Sequence, residues 1–295
     1  MTTVGILTRP DLRDAAPVLA ELMAWVRQRG LRVCIEERSA RLLVDDVTGG
    51  CEVASGRVVA AHADVLVVLG GDGTLLGASH LLGQRPVPVL GVNFGSLGFL
   101  TEIALTELYA ALEGVLEGRY QYEERCLLRA ELRRAGEDVA RDDVLNDVVI
   151  TKASLSRIIE LNVSIDERFV SAFRSDGLII SSPTGSTAYN LAAGGPMLHP
   201  RLPALVLTPI CPHTLTHRPL VVSDDSVVEV SVCPGEGAEA HVTFDGQRGQ
   251  ALQPTDTVVI TRSPRTLRLV KAPARDYYEV LRTKLNWGDS TRRRS

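Results

Sequence analysis

Long apolar runs, an excess of positive charge, paired cysteines and internal repeats are all missing from this chain of 295 residues. No uninterrupted apolar stretch approaches the roughly 20 residues of a membrane-spanning helix, and Met1-Thr2-Thr3-Val4 runs straight into a strand pattern instead of a signal peptide. A cytoplasmic protein without a membrane partner is expected. The formal net charge of −4 argues against a general nucleic-acid binder, whose electrostatic footprint is basic. Nucleotide-sized ligands stay open. Five cysteines, Cys34, Cys51, Cys126, Cys211 and Cys233, are odd in number and far apart, with no Cys-x-x-Cys pair. They read as reduced, mostly buried thiols. His213 and His217 have a metal-like spacing, but Pro212 and Pro219 surround them and no third ligand is near in sequence. No metal ligand is assigned.

The length suits two domains, each with its own core. From residue 1 to about 120, strands and helices alternate, as in a Rossmann-like parallel sheet covered by helices. Strands are expected at Val4–Leu7, Arg32–Glu36, Asp64–Leu69 and Val87–Val92, and helices at Ala15–Arg29 and Leu105–Leu116, each with one apolar stripe. From 121 to about 270 the texture changes to short strands separated by turn residues, the pattern of an all-β, sandwich-like domain. A helix is expected at Tyr277–Leu285 within a last segment, 271–295, and Arg292-Arg293-Arg294 reads as a solvated tail.

Gly70-Gly71-Asp72-Gly73-Thr74 follows the apolar run Asp64–Leu69 and opens a helix. Glycines around one carboxylate let a backbone approach phosphate closely, at a helix N-terminus that favours anions. A carboxylate beside phosphate either binds metal or takes a proton from an attacking hydroxyl; Asp-Gly is also an ordinary turn dipeptide. A second glycine-rich loop, Gly91 to Leu100, leaves the next strand, and in doubly wound sheets such loops line the ligand crevice. Further on, Arg174 to Met197 carries hydroxyls at Thr184, Ser186 and Thr187, with Ser186 or Thr187 read as capping a short helix, and Tyr189 offers a ring to an adenine. Asn146-Asp147 interrupts the apolar strand Leu145–Ile150, which puts a polar pair on a cleft, on an edge strand or at a bulge.

These residues together resemble the NAD kinase family, whose members phosphorylate the adenosine ribose of NAD. The matching stretches are Gly70 to Thr74, Gly91-Val92-Asn93 with Leu97 to Thr101, Leu145 to Val149, Asp176 to Pro196, Pro212 to Leu215 with Arg218-Pro219-Leu220, and Asp245-Gly246-Gln247. The resemblance implies an NAD kinase-like fold, an N-terminal α/β domain with a C-terminal β domain, NAD between them, and a last helix packed on the first domain. It implies Asp72 as general base and as an NAD contact, with Gly70, Gly71, Gly73 and Thr74 forming the phosphate-donor loop. Further NAD contacts implied are Gly73, Asn146, Asp147, Arg157, Arg174, Asp176, Thr187, Ala188, Tyr189, Asn190, Leu191, Ala192 and Gln247. The resemblance also implies Mg²⁺ with the donor, ATP or polyphosphate, and a homodimer or homotetramer as the assembly.

The chain departs from the family pattern at three places: Asp147 stands where many members have Glu, Ala192 replaces a common serine, and Gly77 stands where part of the family has arginine. None touches Asp72. Two rival readings compete: a diacylglycerol or sphingoid lipid kinase sharing the glycine-rich motif, and a non-catalytic NAD(P)(H) sensor. The Asp176 to Pro196 run opposes the first and the intact Asp72 opposes the second.

Overall fold

The four strands expected in the first part of the chain form a parallel sheet, joined by two short strands, Glu52–Ala54 and Ile103–Ala104. The computed structural model describes residues 2–43, 49–95, 97–153, 158–214, 216–233, 239–272 and 275–287. It divides into two compact units, Met1–Glu124 together with Leu267–Ser295, and Arg125–Thr266.

In the first unit the elements run β1 (Thr3–Thr8), α1 (Ala15–Gln28), β2 (Arg32–Glu36), α2 (Glu37–Ala40), β3 (Glu52–Ala54), α3 (Gly56–His62), β4 (Val65–Gly70), α4 (Asp72–Ser79), β5 (Pro88–Asn93), β6 (Ile103–Ala104) and α5 (Leu108–Leu116). The order across the sheet is β5-β4-β1-β2-β3, all parallel, with β6 beside β5. That is the doubly wound order, with its switch point between β1 and β4. Strand β4, Val-Leu-Val-Val-Leu-Gly, is buried along its whole length, as a strand covered on both faces must be. Helix α1 buries Ala15, Leu19, Leu22, Met23 and Val26, one stripe at helical spacing. These side chains share a core with Val4, Ile6, Val67, Leu69, Leu90, Leu108, Leu112 and Val270. The expected helix at 105–116 begins instead as a 3-10 turn, Leu105–Glu107, because the Glu107 carboxylate accepts the Ala104 N–H at 2.8 Å and tightens the first turn.

The second unit is antiparallel: β7 (Tyr122–Arg134), β8 (Glu137–Val144), β9 (Asp147–Lys152), β10 (Ile159–Ile165), β11 (Arg168–Ser175), β12 (Gly177–Ser181), α6 (Tyr189–Ala192), β13 (Ala204–Ile210), β14 (Leu220–Ser223), β15 (Val228–Val232), β16 (Ala240–Phe244), β17 (Arg248–Leu252) and β18 (Asp256–Val270). One sheet runs β14-β13-β12-β9-β16-β17, and the other joins β11-β10-β15-β18 with β7 and β8. Inward residues of both, among them Leu128, Val148, Ile150, Leu161, Ile180, Leu207, Val230, Val242 and Ile260, form one core. The last residues of β18, Arg268 and Leu269, pair in parallel with β5 inside the first unit. Helix α7 (Tyr277–Leu285) follows, capped by the Asp276 carboxylate on the Glu279 N–H at 2.7 Å and ended by Asn286 in the left-handed region.

Several strands differ from expectation. The strand placed at Leu145–Ile150 starts only at Asp147, since Leu145 and Asn146 turn the chain from β8 into β9. The helix opened after Gly71 is short, ending at Ser79. Strand β8, Glu-Asp-Val-Ala-Arg-Asp-Asp-Val, pairs only with β7 and is mostly polar, so no apolar alternation announces it. The cysteines are all free, but only Cys34 is buried; Cys51, Cys126 and Cys233 are half-buried and Cys211 is exposed. The basic tail Arg292 to Arg294 lies outside the described residues.

Candidate functional site

Where β4 ends, Gly71 takes an extended conformation and Asp72 becomes the first residue of α4. The Asp72 carboxylate does not hang free in a turn. Its Oδ1 accepts the N–H groups of Leu100 at 3.0 Å and Thr101 at 3.1 Å and the Thr101 hydroxyl at 3.0 Å, while Oδ2 accepts only the Phe99 N–H at 2.9 Å. The loop after β5 thereby clamps the carboxylate against the N-terminus of α4. Gly98 makes the clamp possible, because a Cβ there would stand 2.0 Å from Asp72 Oδ1 and 2.4 Å from the Thr101 hydroxyl. At Gly71 and Gly73 the reverse holds: a Cβ would meet nothing within 4 Å, and neither has a positive φ. Packing within the chain does not demand glycine at either place, and open space lies beside this backbone.

Two openings lie at the carboxyl ends of the parallel strands. One, about 380 Å³, is lined by Asn93, Phe94, Gly95, Leu97, Ala104, Leu105, Thr106 and Arg275. The other, about 630 Å³, is lined by Pro10, Asp11, Arg13, Arg38, Arg41 and Leu42 after β1 and β2. Three guanidinium groups against one carboxylate suit an anionic ligand.

In the second unit the organising residue is Asp245, which sequence reasoning did not assign. Asp245 and Gly246, at φ 51° and 63°, form a tight turn closed by the Gln247 N–H on the Phe244 carbonyl at 3.0 Å. The Asp245 carboxylate accepts the N–H groups of Leu145 at 2.8 Å, Asn146 at 2.7 Å and Asp147 at 3.1 Å. This fixes the Asn146-Asp147 pair. Burial, and then the charge of Asp245, push the Asp147 carboxyl up to about 7. Asp147 is buried and Asn146 half-buried.

The same turn meets the 182–190 segment. Ser182 donates its N–H to the Asn146 carbonyl at 2.9 Å and its hydroxyl to the Leu145 carbonyl at 2.5 Å. Gly185 packs so closely that a Cβ would lie 2.2 Å from the Asn146 carbonyl oxygen. The segment folds as a 3-10 turn, Gly185–Thr187, and the short α6. The hydroxyl expected to cap that helix does not do so. Ser186 is fully buried, donating to the Pro183 carbonyl at 2.6 Å and accepting the Leu198 N–H at 2.9 Å, and the Thr187 hydroxyl donates to the Thr184 carbonyl at 3.3 Å. Thr184 Oγ1 is also buried. Backbone demands inside the loop engage the Ser186 and Thr187 hydroxyls, whereas Thr184 Oγ1 has no hydrogen-bond partner among the described residues.

Asn190 is fully buried as well: its amide donates to the carbonyls of Ser186 and Pro196, both at 3.0 Å, and its oxygen accepts the Thr208 hydroxyl at 2.6 Å. Around it Thr187 and Leu191 are half-buried and Ala188, Tyr189 and Ala192 exposed, so the turn presents a surface with Tyr189 at its edge. Asp176 is half-buried and paired with Lys152 Nζ at 2.8 Å, a partner not foreseen because it sits a strand away on β9. Arg174 is exposed and 3.7 Å from Glu160, and Gln247 is exposed. Arg157 lies outside the described residues. His213 and His217 build no metal cluster among the described residues; the His217 ring rests on Phe173, with centroids 4.6 Å apart.

A doubly wound unit with a clamped carboxylate at an open, glycine-flanked helix start is the arrangement of a phosphate-handling enzyme of the phosphotransferase class. The comparisons make this particular. The ATP-NAD kinase N-terminal domain model matches residues 4–120 and the ATP-NAD kinase C-terminal domain model matches 145–272, so the chain belongs to the NAD kinase family. A relative named NAD kinase from Geotalea daltonii is 48% identical over 98% of this chain and 100% of its own length. Another, from Geobacter sulfurreducens, is 47% identical over the same shares. Among solved structures, yeast NADH kinase complexed with NADH superposes with a TM-score of 0.88 at 23% identity, covering 98% of this chain and 88% of that one. An NAD kinase from Archaeoglobus fulgidus in complex with ATP gives 0.71 at 22% identity, covering 99% of both. At those identities the two structures speak for the fold. The lipid kinase and sensor readings are not favoured, and the enzyme is a phosphotransferase that makes NADP from NAD.

Proposed function

We propose that Asp72 is the general base of the reaction and that its Oδ2 receives the proton. The adenosine 2′-hydroxyl oxygen attacks the terminal phosphorus, the bond from that phosphorus to its bridging oxygen breaks, the shortened donor leaves, and the hydroxyl proton passes to Asp72. One observation carries the choice of atom: Oδ1 already accepts three hydrogen bonds and Oδ2 only one. A carboxylate has about four acceptor sites, so Oδ2 keeps a lone pair for the incoming hydroxyl. The open backbone of Gly71 and Gly73, with Gly70 and Thr74, cradles the donor phosphates, and placement of the reactants supplies most of the rate.

In the second unit, Asn146, Asp147, Arg157, Arg174, Asp176, Gln247 and the surface of Thr187, Ala188, Tyr189, Leu191 and Ala192 recognise NAD. Asn190, its side-chain amide engaged inside the turn and its oxygen by Thr208 on β13, acts as a positioning residue. With its raised carboxyl, Asp147 is able to donate as well as accept a hydrogen bond near neutral pH.

A divalent ion such as Mg²⁺, bound with the donor, would supply charge neutralisation at the donor phosphates. The donor is ATP or polyphosphate; the arginine-lined opening at Arg13, Arg38 and Arg41 is compatible with either anion. The five free cysteines agree with a reducing, cytoplasmic setting, and no described helix is long and apolar enough to cross a membrane. Exposed Phe169 and Val170 on β11, and Leu220 and Val221 on β14, lie on edge strands. Such apolar edges support a homodimer or homotetramer.

The test is NADP formation by purified protein with Mg²⁺, NAD and either ATP or polyphosphate, alongside Asp72→Asn. The variant is expected to lose on the order of 10²- to 10⁴-fold in kcat. Full turnover from a folded Asp72→Asn would overturn the assignment.

A further inference from the structure

Away from the residues given to phosphoryl transfer, three side chains with different metal-binding atoms meet in the first unit. Cys34 lies on β2, Glu52 opens β3 and His62 closes α3. Cys34 and Glu52 are register partners in the parallel β2–β3 pair, so their side chains leave the same face of the sheet one strand apart. Helix α3 runs back from β3 toward β4 and sets His62 Nδ1 3.0 Å from Glu52 Oε1. The thiol sulfur, a carboxylate oxygen and an imidazole nitrogen all lie within 4.8 Å of one another. The His62 and Glu52 side chains are 53% and 49% exposed, while Cys34 is fully buried beneath them.

We propose that Cys34, Glu52 and His62 form a binding site for a zinc-class divalent transition-metal ion, with solvent in the fourth position. An exposed His–Glu pair contributes little to stability by itself and does not account for a thiol pointing at the same carboxylate. A sulfur, nitrogen and oxygen set matches zinc, whose bonds to these atoms run about 2.0–2.3 Å. The same set is wrong for Mg²⁺, which takes oxygen ligands and rejects thiolate. The three ligands come from β2, β3 and α3, so an ion there staples the outer edge of the parallel sheet to its crossover helix. The thiol gives its proton to solvent as the ion enters.

The experiment is a titration of full-length, chelator-stripped protein with Co²⁺, followed by its thiolate-to-cobalt charge-transfer absorption, with Zn²⁺ then added to displace it. One equivalent of Co²⁺ is expected to raise the band, and Zn²⁺ to abolish it. Cys34→Ser should remove the band, and His62→Ala and Glu52→Gln should weaken Co²⁺ binding. Cys211→Ser and Cys51→Ser should leave it intact. Because Cys34 is buried, the melting temperature of each metal-free variant is recorded, and exposed His62 gives a variant that leaves the core alone. No band in the wild type, or a band that survives in Cys34→Ser, overturns the site.

Discussion

At the scale of single residues, acceptor capacity and close approach decide what each group can do. Asp72 has the right chemistry in the sequence, but the division of its two oxygens depends on Phe99, Leu100 and Thr101, more than twenty residues away. Gly98 guards that arrangement. Gly98→Ala would drive a methyl group into Asp72 Oδ1, 2.0 Å away, so kcat should fall while KM for NAD moves little; steady-state kinetics on the folded variant check it. Asp147 offers a second test. Its folded carboxyl sits at about 7 against about 3.9 unfolded, so the folded protein holds a proton that the unfolded chain has released. Stability therefore falls as pH rises from about 4 to about 7 and stays low above that. Asp147→Asn removes this penalty. The variant should gain melting temperature over wild type at pH 8 and lose that advantage at pH 4, whatever happens to its NAD affinity.

At the scale of elements, turns carry the residues proposed to contact NAD and strands hold them in place. The Ser182–Leu198 segment is polar in sequence because it satisfies main-chain groups: Ser186, Thr187 and Asn190 bond to carbonyls of the segment itself, and Ser182 to the Leu145 carbonyl before β9. Asn190→Ala would strip partners from the Ser186 and Pro196 carbonyls and the Thr208 hydroxyl. A cost of about 1–3 kcal/mol for each buried group left unpaired predicts a clear loss in urea midpoint, together with weaker NAD binding. Unchanged stability would mean that the turn does not depend on this side chain. The element scale is also where the sequence was hardest to read. Period and apolar stripes revealed β1, β4, α1 and α7 because burial on defined faces leaves a pattern. The polar β8 and the exposed β17 left none. Asn146-Asp147 looked like an interrupted strand because a turn between two strands resembles, in one dimension, a strand with a polar defect.

At the scale of the whole molecule, exposed apolar edge strands predict association of copies. Phe169, 66% exposed on β11, is the most prominent example, and Phe169→Glu should lower the molar mass measured by light scattering; an unchanged mass would remove β11 from the interface. The sequence by itself determined the class of each half, the glycine-bounded carboxylate and the family, because apolar periodicity and local motifs are properties of neighbouring residues. Only the tertiary structure decided which atoms of those motifs are free. Asp245 reaching Leu145 to Asp147, Lys152 pairing with Asp176, the loop closing on Asp72 and the meeting of Cys34, Glu52 and His62 all join residues that lie apart in the chain or on neighbouring strands. Folding sets which donors and acceptors are consumed internally, and what remains unspent is what a ligand can use.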